Sequence, residues 1–169
     1  MVLDVGALAE LLIQYFQTDD RSRVRFRANT FLSPTDVKPL NRIVAGDGRQ
    51  HVVVASAIAF VELTRKWDEI VSDLLQPHQL AAFLQATPDW FVVDPVDESL
   101  LPSLGLVPPE VTMPDGSTKP VEWIDAIHVA TSLARENARL VTTDDIMLRA
   151  HLVACGGIER GFTNRIGSR

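Results

Sequence analysis

Short apolar runs alternate along the chain with longer segments of helical periodicity, and this alternation constrains the fold more than any other feature. The clearest run is Val52-Val53-Val54-Ala55, which is typical of a strand buried on both faces. Similar runs begin at Val2, Trp90 and Arg139. The order predicts an α/β protein, a three-layer α/β/α sandwich around a central, largely parallel sheet of four or five strands.

Helical patterns separate these runs and set the other element boundaries. Ser56 is a favourable N-cap for a helix that we predict to run to about residue 75, and Pro77 opens another. Apolar spacing and turn residues predict helices at about residues 8–16, 56–75, 77–86, 121–137 and 146–154, and a last strand at 158–162.

The length of 169 residues is that of a single domain, which we place at residues 1–169. Residues 18–50 are rich in Arg, Asp, Pro, Asn and Gly and show no long period, so we predict an insertion or a hairpin there. Residues 101–120 contain five prolines and predict a loop that carries a lid or a sheet edge.

Composition limits the classes of function. Cys155 is the only cysteine, which excludes an internal disulfide and a cysteine metal cage and fits a reducing cytoplasm. The apolar runs are shorter than a membrane span and lack the flanks of a signal peptide, so we expect a cytoplasmic protein without membrane association.

Charge is unevenly distributed. The net charge of −6 argues against a protein that coats nucleic acid through overall electrostatics. Residues 18–66 nevertheless carry a net +4, whereas residues 67–145 carry −11. Basic surface is therefore local, and acidic surface is concentrated.

Four acidic residues are predicted to converge at one edge of the sheet. Asp4 and Asp144 follow strands, and Glu62 and Asp125 lie in early turns of helices. In parallel sheets, ligands gather at the carboxyl ends of the strands. Clustered carboxylates suit Mg²⁺ or Mn²⁺, and such ions promote phosphodiester hydrolysis. Each acid also has a structural interpretation, as a strand end, a solvated helix position, a first-turn acid or a helix cap.

Four segments that contain these acids resemble the motifs of the PIN-domain family of nucleases, which includes the toxins of VapBC-type toxin–antitoxin modules. The resemblance covers nearly the whole chain in order and rough spacing. Its segments are Val2-Leu3-Asp4, Ser56-Ala57-Ile58-Ala59-Phe60-Val61-Glu62-Leu63, Asp125-Ala126-Ile127-His128-Val129-Ala130-Thr131-Ser132-Leu133-Ala134 and Leu140-Val141-Thr142-Thr143-Asp144. Val5 and Gly6 depart from it, because the family usually has polar residues after the first aspartate.

The resemblance implies a PIN-like fold and a Mg²⁺- or Mn²⁺-dependent endoribonuclease. Asp4, Glu62 and Asp125 would hold one ion, Asp144 would complete its site or bind a second ion, and Thr142 would order a water or a carboxylate. It also implies an RNA substrate, a small antitoxin as partner and a homodimer.

Two residues near these acids have alternative interpretations. The Thr-x-Asp pattern selects Asp144, but Asp145 is the alternative ligand at the same strand end. His128 lies one turn beyond Asp125, and we interpret it as a hydrogen-bonded structural residue outside the site.

Basic residues supply candidate contacts to RNA. In an extended segment, Arg21, Arg23, Arg25 and Arg27 would project from one face, either as a rail for phosphates or as a charged edge strand that prevents aggregation. Arg65 and Lys66 follow Glu62 by about one turn and are candidates for further contacts to the RNA phosphate backbone. Trp67 either stacks on a base or belongs to the core.

Other classes compete with a nuclease. A receiver domain needs a lysine after a late strand, and a haloacid-dehalogenase-like phosphatase needs a second aspartate where Gly6 stands, so both are excluded. The remaining alternative is a PIN-like binding or scaffold module with weakened catalysis, which the apolar residues after Asp4 favour.

Overall fold

The computed structural model describes residues 1–18, 24–46 and 51–156. Its strands are β1 (Val2–Leu3), β2 (Val53–Ser56), β3 (Phe91–Asp94), β4 (Glu110–Thr112), β5 (Thr118–Pro120) and β6 (Leu140–Val141). Its α-helices are α1 (Val5–Gln17), α2 (Pro34–Val44), α3 (Ala57–Arg65), α4 (Trp67–Ile70), α5 (Pro77–Gln85), α6 (Leu101–Leu104), α7 (Trp123–Leu133) and α8 (Asp145–Ala154). Single 3₁₀ turns occupy Ser72–Leu74 and Glu98–Leu100.

The main sheet has four parallel strands in the order β3-β2-β1-β6, which confirms the α/β class and the parallel sheet. Val2 of the central strand β1 is in register with Val54 on one side and Leu140 on the other. Since all four strands point the same way, the residues that follow them meet at one edge, the carboxyl edge of the sheet.

The core lies on both faces of this sheet because successive strand residues point to opposite sides. Leu3, Val53 and Ala55 pack in one cluster with buried residues of α1, α3 and α5. Val2 and Val54 pack in a second cluster with buried residues of α7 and α8. Helices therefore flank the sheet.

The prediction of one helix over residues 56–75 is wrong for the second half of that range. The helix ends at Arg65, and a four-residue helix and a 3₁₀ turn follow. Ser72 has φ of 45°, a left-handed conformation that an α-helix does not contain. The break allows Val71 and Leu75, on either side of this turn, to be fully buried.

Of the two alternatives predicted at residues 18–50, the hairpin is wrong where the structure describes the segment, since α2 lies there, and the insertion stays a prediction. Ser33 starts α2 with a capping box: its hydroxyl accepts from the Asp36 amide, while the Asp36 carboxylate accepts from the Ser33 amide. Pro34 adds a first-turn proline. These residues indicate the start of a helix independently of any apolar periodicity.

The proline-rich segment at residues 101–120 is more ordered than the predicted loop. It contains α6 and an antiparallel hairpin of β4 and β5. Gly116 has φ of 82° in the hairpin turn, where the Asp115 carboxylate accepts from the Ser117 amide. Val111 of β4 is buried in the second core cluster, so the hairpin is anchored. The strand predicted at residues 158–162 lies outside the described residues.

Among the described residues, no helix is long and apolar enough to cross a membrane.

Candidate active site

Two of the four predicted acids sit at the carboxyl edge as helix N-caps. Asp4 follows β1, and its Oδ1 accepts a hydrogen bond from the Ala7 amide at 2.8 Å. Asp144 follows β6, and its Oδ1 accepts from the amides of Ile146 and Met147 at 2.7 and 3.0 Å. Capping fixes both carboxylates, because each satisfies amides that have no partner within the helix.

Thr142 connects these two caps. Its hydroxyl accepts from the Asp144 amide at 3.0 Å, and its side chain acts to lower the pKa of Asp4. Since β1 and β6 are neighbours in the sheet, Thr142 and Asp4 leave adjacent strands. The threonine therefore lies between the two capping acids.

Glu62 lies in the second turn of α3 and is only 7% exposed. Its Oε2 lies 2.9 Å from Nε2 of His128, and its Oε1 accepts from Nζ of Lys66 at 3.2 Å. Burial acts to raise the pKa of Glu62, but the hydrogen bonds and charges of His128 and Lys66 outweigh it and leave the pKa lowered. Glu62 is therefore held as a carboxylate.

His128 is buried and hydrogen-bonded, and its partner is one of the predicted site acids. Because an ionised carboxylate only accepts hydrogen bonds, ring Nε2 donates to Glu62, and Nδ1 lies 3.5 Å from the Ser56 hydroxyl. Ser56 occupies the N-cap of α3 but makes no capping bond with its side chain. The interpretation of His128 as a hydrogen-bonded structural residue fits this contact, and its spacing of three from Asp125, which puts both on one helix face, is the sequence signal that links it to the site acids.

Asp125 lies in the first turn of α7 and is partly buried. Burial and the nearby charges of Asp144 and Glu62 raise its pKa to about 6, against an opposing effect of His128. Burial likewise raises the pKa of Asp4, to which the charge of Glu62 adds. The charge of Glu62 therefore acts on both Asp4 and Asp125, and the charge of Asp144 acts on Asp125.

The donor set has the chemistry for Mg²⁺ or Mn²⁺, since carboxylate oxygens are the ligands these ions prefer. Burial contributes most to the raised pKa of Asp125, and a cation would relieve the smaller part that comes from the charges of Asp144 and Glu62. In the described part of the chain, no three Asp, Glu, His or Cys side chains are arranged to hold one ion. Glu62 in particular has both oxygens directed to His128 and Lys66, so binding would require it to turn.

The arginine-bearing segment is described from Val24 onward, and Arg21 and Arg23 lie outside the described residues. Arg25 and Arg27 are exposed, whereas Val24 and Phe26 between them are buried. The predicted projection of arginines from one face is thus confirmed for these two.

Side-chain amides bond the backbone of this segment as a neighbouring strand would in a sheet. The Asn41 amide bonds both the N–H and the carbonyl of Phe26, at 2.7 and 2.9 Å. The Gln14 amide does the same for Arg27, at 2.6 and 3.0 Å.

Three other residues take definite places. Arg65 is exposed in the last turn of α3. Trp67 is partly buried and packs against the first core cluster, which matches its interpretation as a core residue. Asp145 is exposed as the first residue of α8, and the neighbour whose charge acts on Asp125 is Asp144.

Comparison with family models, with curated proteins and with solved structures finds no match for this chain.

Proposed function

We propose that this chain is a metal-dependent endoribonuclease with a PIN-like, three-layer α/β/α fold, in which Asp4, Glu62, Asp125 and Asp144 bind Mg²⁺ or Mn²⁺. The observation that carries the proposal is the electrostatic strain on Asp125, whose pKa is raised to about 6 by burial and by Asp144 and Glu62. Acids that repel one another at the carboxyl edge of a parallel sheet destabilise the fold, and such strain is typical of functional sites.

The surrounding residues fit this role. The helix caps fix Asp4 and Asp144, and the Thr142 hydroxyl accepts from the Asp144 amide. His128 and Lys66 keep Glu62 ionised in a buried position. When bound, the ion would lower the pKa of an attacking water and neutralise charge on the phosphate. The protein contributes the geometry of the carboxylates.

RNA as substrate rests on the resemblance of the four acid-bearing segments to PIN-domain motifs and on the exposed Arg25 and Arg27. The same resemblance supports a more specific proposal, in which the protein is the toxin of a toxin–antitoxin pair, forms a homodimer and is inhibited by a small antitoxin.

The nuclease proposal is tested by incubating purified protein with a mixed RNA pool and Mg²⁺ or Mn²⁺. We expect cleavage that EDTA abolishes and that Asp125→Asn reduces by at least about 100-fold, since a metal ligand is lost. Asp145→Asn is the matched control and should retain cleavage. Equal cleavage by wild type and Asp125→Asn would refute the proposal.

A catalytically weakened RNA-binding or scaffold module is the alternative. It is favoured by Glu62, whose two oxygens are bound by His128 and Lys66 rather than directed to an ion site. In that case, the protein binds RNA, and Asp125→Asn changes neither metal uptake nor cleavage.

The toxin proposal has its own test. Overexpression in a bacterial host should arrest growth, and Asp125→Asn should relieve the arrest. Harmless expression of protein that cleaves RNA in vitro would refute the toxin role but leave the nuclease standing.

A further inference from the structure

The ring of Phe31 lies against the first turn of α1, beside the Asp4 carboxylate. A methyl group placed on Gly6 would be 2.8 Å from Cδ1 of Phe31, 3.0 Å from its Cε1 and 3.6 Å from Oδ1 of Asp4. The first of these distances is shorter than van der Waals contact, so the ring occupies the space that a side chain at position 6 would need. Gly6 departs from the PIN pattern, and the Phe31 ring occupies the space where a side chain at position 6 would lie, next to Asp4.

The turn that carries Phe31 is held rigidly. Oδ1 of Asn29 accepts from the backbone N–H groups of Phe31 and Leu32 at 3.0 and 2.9 Å, and the backbone N–H of Asn29 donates to the Leu32 carbonyl at 2.8 Å. Leu32 is fully buried, and Ser33 begins α2 with its capping box. Binding through Phe31 would therefore cost little conformational entropy.

Phe31 is nevertheless 37% exposed. A single exposed apolar residue is common on protein surfaces, so its position is what matters. A rigid, partly exposed aromatic ring beside carboxylates that attract a cation is suited to stack on a nucleobase. We propose that Phe31 stacks on a base of the RNA next to the phosphate that the ion of the proposed nuclease would bind at this edge of the sheet. This inference rests on the proposed nuclease function and adds a substrate contact to it.

Arg25 and Arg27, in the same segment as Phe31, lie farther along α1 from the carboxylates. Phe31 contacts α1 at Gly6, and Arg27 is bonded to Gln14, eight residues further along that helix, or about 12 Å. Arg25 and Arg27 also line a polar cleft of about 350 Å³ that includes Glu10 and Asn29. An RNA strand stacked on Phe31 thus has two exposed guanidiniums ahead of it for its phosphates.

The experiment measures binding of a short fluorescein-labelled single-stranded RNA to otherwise wild-type protein, the parent, with Ca²⁺ in place of Mg²⁺, so that all four carboxylates are kept while cleavage is slowed. The RNA carries one abasic nucleotide, which is moved along the strand. Phe31→Leu removes the aromatic face but keeps an apolar side chain over Gly6, and Phe31→Tyr keeps the face. Leu74→Ala removes an equally apolar residue, 59% exposed in the turn after α4, as the matched control.

We expect one abasic position to weaken binding of the parent by about tenfold, the equivalent of about 1.4 kcal/mol. Phe31→Leu should weaken binding of intact RNA by a similar factor. The Phe31→Leu protein should then bind the RNA with that abasic position as tightly as it binds intact RNA. Phe31→Tyr and Leu74→Ala should match the parent. This coupling separates stacking from a general effect of Phe31 on folding, because a structural effect is the same for every RNA.

Two outcomes overturn the inference alone. If metal-dependent cleavage occurs but Phe31→Leu binds intact RNA as the parent does, Phe31 is not a base contact. If Phe31→Leu weakens intact and abasic RNA equally, its effect is structural. Failure of the nuclease itself would instead be seen in the cleavage assay of wild-type protein.

Discussion

Replacing Asp125 by asparagine should stabilise the protein at neutral pH while it destroys the proposed metal site. Asn has the shape of the protonated acid but carries no charge to be repelled by Asp144 and Glu62. In the wild type, the pKa of Asp125 is raised from 3.8 to about 6 in the folded state. A raised folded pKa means that stability is fully present below about pH 3.8 and is lost as the pH rises through about 6.

The size of the effect follows from this shift. Two pKa units correspond to about 3 kcal/mol. Asp125 is only partly buried, so solvent screening reduces the contribution, and we expect about 1 to 2 kcal/mol. Asp125→Asn should therefore be more stable than wild type by this amount at pH 7.5 in EDTA and equal to it near pH 4.

Urea denaturation followed by circular dichroism at pH 4, 6 and 7.5 measures the difference. Asp145→Asn is the control, because it removes an exposed first-turn acid of α8 and should be neutral or slightly destabilising at every pH. Mg²⁺ should stabilise the wild type and not Asp125→Asn. A constant difference between wild type and Asp125→Asn across the pH range would refute the assigned repulsion.

Three further substitutions test the contacts around the site by urea denaturation. His128→Ala should cost about 3 kcal/mol, because it leaves Glu62 buried beside an empty space with Lys66 as its remaining partner; a loss below about 1 kcal/mol would contradict the buried pair. Gly6→Ala should destabilise by about 1 kcal/mol through the Phe31 ring, although alanine favours helices, and the sign should reverse in a Phe31→Ala background. Asn41→Ala should cost about 1 to 3 kcal/mol, since Phe26 loses both backbone partners, and Arg42→Ala on the neighbouring exposed position should cost little.

The parallel sheet was predictable because its information is local. Val52-Val53-Val54-Ala55 contains no polar residue, and a strand buried on both faces is the structure that tolerates such a run. Helix α2 was missed because its start depends on two side chains, Ser33 and Asp36, rather than on apolar period. The break at Lys66 and Ser72 is set by burial of Val71 and Leu75 against residues far away in sequence, which local spacing does not contain.

Some features of the candidate site could likewise be predicted from the sequence, and others depend on tertiary packing. Strand polarity alone brings Asp4 and Asp144 to one edge, so their meeting could be derived from the order of elements. The pairing of His128 with Glu62 depends on how α3 and α7 pack together, over 66 positions of sequence. The contact of Phe31 with Gly6 was equally hidden, because a glycine in a sequence does not reveal which side chain fills its space.

Variants of Asp144 distinguish a helix cap from a metal ligand, which are the two interpretations that this residue admits. Its Oδ1 caps α8, and serine or asparagine at an N-cap preserves such bonds almost as well as aspartate. Asp144→Ser and Asp144→Asn should therefore unfold within about 0.5 kcal/mol of each other, whereas Asp144→Ala should lose about 1 kcal/mol.

If Asp144 is a ligand, all three variants lose metal-dependent RNA cleavage, including the two that keep the cap, because neither serine nor asparagine supplies a negative charge to the ion. The two cap-preserving variants should also lower the pKa of Asp125, since the charge of Asp144 helps to raise it. Full cleavage by Asp144→Ser would show that the carboxylate at this position serves the helix alone, and the ion would then have to be held by Asp4, Glu62 and Asp125.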